Sequence, residues 1–391
     1  ELKSANPKIP KIPFLQHLTI RTERAKFMEG LPIYLQNYRC LLAVTIYDIA
    51  REAKVGIGTV SRVFNNHPNV TPKTREKILS AAKRLNYHPH AYAQGLARRR
   101  TNTIAAIIPF FTNYFFVEIL QGIQDKITNL GYDLILYGIN HHGEIDEYLR
   151  KSDQRGRVDG ILFFSSKLPE SFVERSHAES KPLILVDTFH EKFDSLHVDN
   201  FQGAITATNH LIRLGHTNIG MINANLNNTP ASERKDGFTD ALKAGGVEFR
   251  PQNIVETNVI KNDGYTREAG YSSMKQLLNL GTDRPTAVFI ASDVQAIGAL
   301  SALRQAGLRA PEDVAIVAYD DIELAAHFGL TTMRQPMYRM GELAVEKLFQ
   351  RMENPAMPPS HVHFVPTLIV RGSCGRNKNY SHAEEFLQTS D

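Results

Sequence analysis

Residues 44–64 read VTIYDIAREAKVGIGTVSRVF. Thr45 followed by Asp48 has the spacing of a capping box, which satisfies exposed amides at the start of a helix. Ile46, Ile49, Ala50 and Ala53 recur at the interval of one helix face. Lys54, Val55 and Gly56 break that pattern, and a second helix is expected from about Ile57 to Asn65, with Val60, Val63 and Phe64 inward. Thr71 caps a third helix, with Pro72 at its favoured first position. Ile78, Leu79, Ala82 and Leu85 would form its buried side. His88 stands before Pro89 and is thereby pushed out of helical geometry, which ends the helix. Three short helices around one core, the first two joined by a tight turn, make a helix-turn-helix. The glycines of GIG (56–58) do not make a dinucleotide loop: the third glycine is missing and a helix, not a strand, precedes them.

Charge divides the chain in the same place. Residues 1–43 carry 7 Lys+Arg and 3 Asp+Glu, residues 44–100 carry 11 and 3, and the rest carries 27 and 35. A small basic module is therefore joined to a large acidic one, and the basic part suits a polyanion such as DNA. The apolar content of 42% and charged content of 22% are those of a globular protein with a large core. No apolar run approaches the ~18 residues of a membrane span. Cys40 and Cys374 lie at opposite ends without metal spacing, which fits a reducing cytoplasm.

Beyond residue 101 strands and helices alternate. TIAAIIP, YDLILYGIN, GILFFSS, PLILVD, NIGMINA, TAVFIAS and VAIVAYDD read as buried strands, and FFVEILQGIQDKITNLG is an amphipathic helix closed by Gly131. Such alternation predicts parallel sheets with helices on both faces, here as two lobes with a cleft between them. Ligands in these folds bind beyond the C-terminal ends of strands.

Residues 44–100 resemble, almost continuously, the DNA-binding headpiece and hinge of the lactose-repressor/galactose-repressor family. Later blocks such as ERKDGF, FIASDVQAIGAL, VAYDDIELA and LTTMRQPMYRMGELAVEKL resemble the same family more loosely. The resemblance implies an all-α helix-turn-helix headpiece joined to a two-lobed α/β effector domain of the periplasmic-binding-protein type, with parallel sheets. The domains would be an N-terminal extension (1–43), the headpiece (44–89), a hinge helix (90–100), the effector and dimerisation domain (101–375) and a tail (376–391), with lobe crossovers near 200, 335 and 358. The second helix would read the major groove through Ile57, Gly58 and Arg62. Arg62 carries a fork suited to guanine O6 and N7, whereas Ile57 could only read a thymine methyl. Thr45, Tyr47, Thr59, Ser61, Asn65 and Asn69 match positions near phosphates or flanking bases; for Thr59 and Ser61 the plain alternative is helix-surface hydroxyls. Ala93 and Leu96 match DNA-facing hinge positions, and Leu96 matches the leucine wedged into the minor groove. His90 stands where the family often has Asn, and Gly95 weakens the hinge helix.

For the effector, Arg234 and Asp293 match the family's main polar contacts, and Phe115, Phe116 and Tyr265 its aromatic walls. Phe116 suits a core equally well. Asn113 and Asp187 are weaker candidates at the lip, and Asp320 and Asp321 are read as holding their loop. The partners implied are a near-palindromic double-stranded operator, a small-molecule effector (a sugar or sugar derivative, with a nucleobase or nucleoside behind it) and a second copy of the chain, a tetramer being left open. No cofactor, metal or membrane is expected, and no enzyme: there is no phosphate-binding Lys loop, no nucleophile elbow, and His141, His142, His361 and His363 make no ligand set. The competing reading is a solute-binding protein of a sugar transport system, which shares the two-lobed fold but has no headpiece. Residues 1–43 fit neither module; Leu42 is read as the start, with the upstream part over-translated, against a basic arm as the alternative.

Overall fold

The computed structural model describes residues 44–64, 67–87, 100–109, 112–139, 143–154, 156–176, 180–226, 228–257 and 261–375. The expected extension, tail, Asn65, the headpiece end at 88–89 and hinge residues 90–99, among them Ala93 and Leu96, lie outside these. The chain divides into two compact units, 1–94 and 95–391.

In the first unit, α1 (Ile46–Glu52), α2 (Ile57–Phe64) and α3 (Pro72–Arg84) enclose a small core of Ile49, Ala50, Ala53, Val60, Val63, Ile78, Ala81 and Ala82. The capping box forms: Asp48 accepts from both the Thr45 amide (2.9 Å) and its hydroxyl (2.6 Å). Thr71 caps α3 through the Thr74 amide. Lys54 supplies the tight turn after α1 with a left-handed φ of 49°. One expectation is corrected. Leu79 does not join the core but stands 47% exposed, and Ala81 takes its place. At 100° per residue, Leu79 and Ala81 lie equally far from the midpoint of Ile78 and Ala82, and the half-buried Leu85 draws the stripe toward Ala81.

The second unit holds two six-stranded sheets. The first lobe has strand order β11-β5-β4-β3-β1-β2, all parallel, from β1 (Thr103–Pro109), β2 (Asp133–Ile139), β3 (Gly160–Phe164), β4 (Leu183–Val186), β5 (Asp194–Val198) and β11 (His361–Phe364). Helices α4 (Tyr114–Leu130), α5 (Gly143–Asp153), α6 (Glu170–Arg175) and α12 (Met337–Glu353) belong to it. The second lobe has order β12-β10-β9-β8-β6-β7, from β6 (Ile219–Asn223), β7 (Ile254–Glu256), β8 (Ala287–Ile290), β9 (Ala315–Asp320), β10 (Thr331–Arg334) and β12 (Thr367–Ile369). Only β12 runs antiparallel to its neighbour there. Its helices are α7 (Asn200–Arg213), α8 (Thr229–Ala244), α9 (Arg267–Leu278), α10 (Asp293–Gln305) and α11 (Glu323–His327). The buried runs Ile104–Ile108, Ile161–Phe164 and Ile316–Tyr319 explain why these segments read as continuous apolar strands: parallel sheets are covered on both faces.

The chain crosses between lobes at Asp199, at Gln335–Pro336 and at Val365–Pro366. The first two match expectation. The third was expected near 358, but that loop only joins α12 to β11 within the first lobe. The crossing falls between β11 and β12, two short strands in different sheets that sequence alone does not separate.

Candidate ligand cavity and nucleic-acid interface

Strand ends and helix starts of both lobes line a cavity between them, the place where open α/β sheets gather ligands. The first lobe contributes Pro109 at the end of β1, Asn113, Phe115 and Phe116 at the start of α4, Ser165 after β3 and Asp187 after β4. The second lobe contributes Asn228, Pro230 and Arg234 from the start of α8, Tyr265 from the loop before α9, and Asp320 at the end of β9. Three of these, Ser165 (φ 45°), Asp187 (φ 56°) and Asp320 (φ 115°), hold positive φ. Such conformations cost of order 1–3 kcal/mol each and persist where surrounding bonds enforce them. Those bonds are present: Ser165 Oγ donates to Asp187 Oδ2 at 2.6 Å, and Gln335 Nε2 donates to Asp320 Oδ1 at 2.7 Å.

Arg234 is the cation among the lining residues and is almost wholly buried. Its guanidinium lies 3.8 Å over the Tyr319 ring centroid. Nε donates to Asn200 Oδ1 at 2.9 Å, Nη1 donates to the Ala291 carbonyl, and Nη2 lies 4.0 Å from Asp320 Oδ1. These contacts fix the fork while leaving N–H donors for a ligand. Burial pushes the Asp187 carboxyl up to about 6, against the Ser165 hydrogen bond and the Arg234 charge. Burial likewise raises Asp320, opposed by Arg234 and Gln335, and raises the Tyr265 phenol.

Phe115 and Phe116 are both wall and core. They meet edge-on with centroids 5.1 Å apart, and Phe116 also meets Phe164 edge-on. Asn113, expected at the lip, lines the cavity and caps α4 through the Phe115 amide. Asp187 lines it too. Asp293 does not. It is fully buried beneath the wall, where Oδ2 accepts from the Ile322 amide (2.9 Å) and Oδ1 from the Thr332 hydroxyl (2.7 Å). Its carboxyl is pushed up by burial and by Asp320. Its expected place on the wall is taken by Asp320, read from sequence as a loop-holding residue. Asp320 ends β9 and Asp293 comes three residues after β8, so the strand-end rule could not choose between them. Ala291 continues the pairing of β8 and Ser292 caps α10, which turns Asp293 under the loop. Ser165 and Asn228 carried no sequence signal beyond their positions after a strand and before a helix.

On the headpiece, Ile57, Gly58 and Arg62 share the exposed side of α2, while Thr59 and Ser61 are half-buried. Tyr47 and Asn69 are exposed. The Thr45 hydroxyl is engaged with Asp48, a capping role. A Cβ on Gly56 would meet nothing within 4 Å, and one on Gly58 only Arg62 Nη2 at 3.9 Å. Neither position has positive φ. Packing therefore does not require glycine at either place. Arg75 donates to the carbonyls of Val63 (3.2 Å) and His67 (3.1 Å), which closes the C-terminal end of α2. Among the described residues no group of three His, Cys, Asp or Glu could hold a metal ion, and no helix is long and apolar enough to cross a membrane.

Residues 45–90 match the family "Bacterial regulatory proteins, lacI family", and residues 208–374 match "Periplasmic binding protein-like domain". The chain is 35% identical over 335 residues to catabolite control protein A of Priestia megaterium, covering 84% of this chain and 99% of that one. It is 34% identical over 336 residues to the ribose operon repressor of Escherichia coli (strain K12), with 84% and 99% covered. The chain belongs to the lacI family of bacterial regulatory proteins. Solved structures agree. The regulator CelR in complex with cellobiose is 30% identical with a TM-score of 0.62, covering 84% of this chain and 99% of that one. The Lac repressor dimer bound to operator and the anti-inducer ONPF is 26% identical with a TM-score of 0.70, covering 85% and 99%. As a lacI-family member the protein is a ligand-responsive, DNA-binding transcriptional regulator and not an enzyme.

Proposed function

We propose that this regulator represses genes for the uptake or use of a sugar, binding a near-palindromic operator as a homodimer and sensing the sugar in the cavity between its lobes. The observation that carries the reading is the Arg234 fork flanked by Asp187 and Asp320 beside the Phe115–Phe116 wall. A sugar hydroxyl donates to one group and accepts from another, so adjacent hydroxyls satisfy carboxylate and guanidinium together. The apolar face of the ring packs on an aromatic wall. The two phenylalanines stand edge-on at 77°, not as parallel plates, which favours a puckered ring over a flat base. The relatives fit: one structure holds cellobiose, and a lacI-family regulator from Enterococcus faecium, 25% identical with a TM-score of 0.62, holds ribose.

On the operator, α2 lies in the major groove with Arg62 paired to guanine and Ile57 against a thymine methyl. Tyr47, Thr59, Ser61, Asn65 and Asn69 hold phosphates and flanking bases. Ala93 and Leu96 enter the minor groove, where the leucine wedges a central step open. The cavity is tied to the lobe crossings: Asn200, beside the first, holds Arg234, and Gln335, at the second, holds Asp320. Closure around a sugar thereby changes the lobe angle that the operator-bound dimer selects.

In vitro selection with the full chain should return a near-palindromic sequence. Anisotropy on that DNA should then shift about tenfold or more with at least one of D-ribose, D-glucose, D-galactose, D-fructose and cellobiose. Operator affinity indifferent to every neutral sugar would refute the sugar reading.

A further inference from the structure

We infer that the cavity selects uncharged ligands, and that Asp187 is the residue that turns phosphorylated sugars away. The inference rests on the sugar reading above and sharpens it. Of the charged groups among the described residues lining the cavity, Arg234 is the cation, and Asp187 and Asp320 are the carboxyl groups. Glu233 adds a further negative charge close by, bonded to the Asn200 amide at 3.2 Å. Arg234 is already engaged by Asn200, by the Ala291 carbonyl and by the Tyr319 face, with Asp320 at 4.0 Å. A phosphate would thus meet more carboxyl groups than cations among the described residues, and each ionised carboxylate beside it repels it.

Helix starts do not reverse this balance. An uncapped helix N-terminus can bind a phosphate through its free amides. Here the α4 start spends its Phe115 amide on Asn113, and the α8 start spends its Ala231 amide on Asn228. Pro230, in the first turn of α8 and on the wall, has no amide hydrogen.

The two carboxylates are not equivalent. Asp320 faces Arg234 and accepts from Gln335. Asp187 accepts from the neutral hydroxyl of Ser165, which leaves its second oxygen for a ligand. That oxygen takes a hydrogen bond from a sugar hydroxyl and has nothing to accept from an ionised phosphate oxygen. Asn at this position would keep the left-handed backbone, which it tolerates, and remove the charge.

Thermal-shift titration of the full chain would use D-ribose, D-glucose, D-fructose and trehalose, each beside its phosphate ester. Wild type should respond to at least one free sugar and bind its ester about tenfold or more weakly. Asp187→Asn should bring the pair within about threefold. A wild type that binds an ester as tightly as the free sugar overturns the inference, as does an Asp187→Asn protein that discriminates like wild type. A protein that responds to neither form of any pair refutes the sugar reading itself, and the inference with it.

Discussion

Asp293 and Asp320 show what one residue's place in a turn decides. Asp320 ends one strand of the second lobe and Asp293 comes shortly after another, yet Asp320 lines the cavity while Asp293 lies beneath it. Asp293 accepts from the buried Ile322 amide and the buried Thr332 hydroxyl. Asp293→Ala would orphan those donors, at a cost of about 1–3 kcal/mol each. Its melting temperature should fall by several degrees in urea or thermal unfolding, with operator reading by the headpiece retained. Wild-type stability would show that the carboxylate is not a structural tie. Arg234, Phe115, Phe116 and Tyr265 line the cavity, and their sequence signal was the family resemblance of the blocks that hold them. The choice between two aspartates was not legible. It depends on Ala291 continuing a strand pair and Ser292 capping a helix, contacts made across the sheet.

The elements were more legible than the joints between them. The Thr45–Asp48 box, the Thr71 cap and the left-handed Gly131 at the end of α4 are local chemistry and stand where the sequence puts them. Leu79 faces outward and the third crossing comes late because both depend on what the segment packs against. Helix pairing is also settled at this scale. α4 and α12 approach so closely that a Cβ on Gly122 would collide with the Tyr338 carbonyl, and one on Gly341 with the Ile119 carbonyl. In a lone helix, Ala in place of Gly gains up to about 1 kcal/mol. Here the collision is with backbone, and overpacking of this kind costs about 1–3 kcal/mol. Gly341→Ala should therefore lower the midpoint of denaturant unfolding. A raised midpoint would mean the two helices can separate freely.

At the scale of the whole molecule, a basic headpiece that reads DNA is combined with an acidic two-lobed domain that encloses a ligand. Charge asymmetry along the sequence marks that division by itself. The lobes join through three crossings, two of which hold the cavity's own groups: Asn200 at the first holds Arg234, and Gln335 at the second holds Asp320. A ligand that engages Arg234 and Asp320 therefore pulls on the segments about which the lobes turn, and its differential affinity for the two lobe angles is what operator binding can register. The direct measurement is operator affinity with and without saturating sugar, for wild type and for Arg234→Ala. The account predicts that wild type changes by about tenfold or more, while the variant binds bare operator normally and changes by about twofold or less. An Arg234→Ala protein that responds to the sugar as wild type does would contradict it.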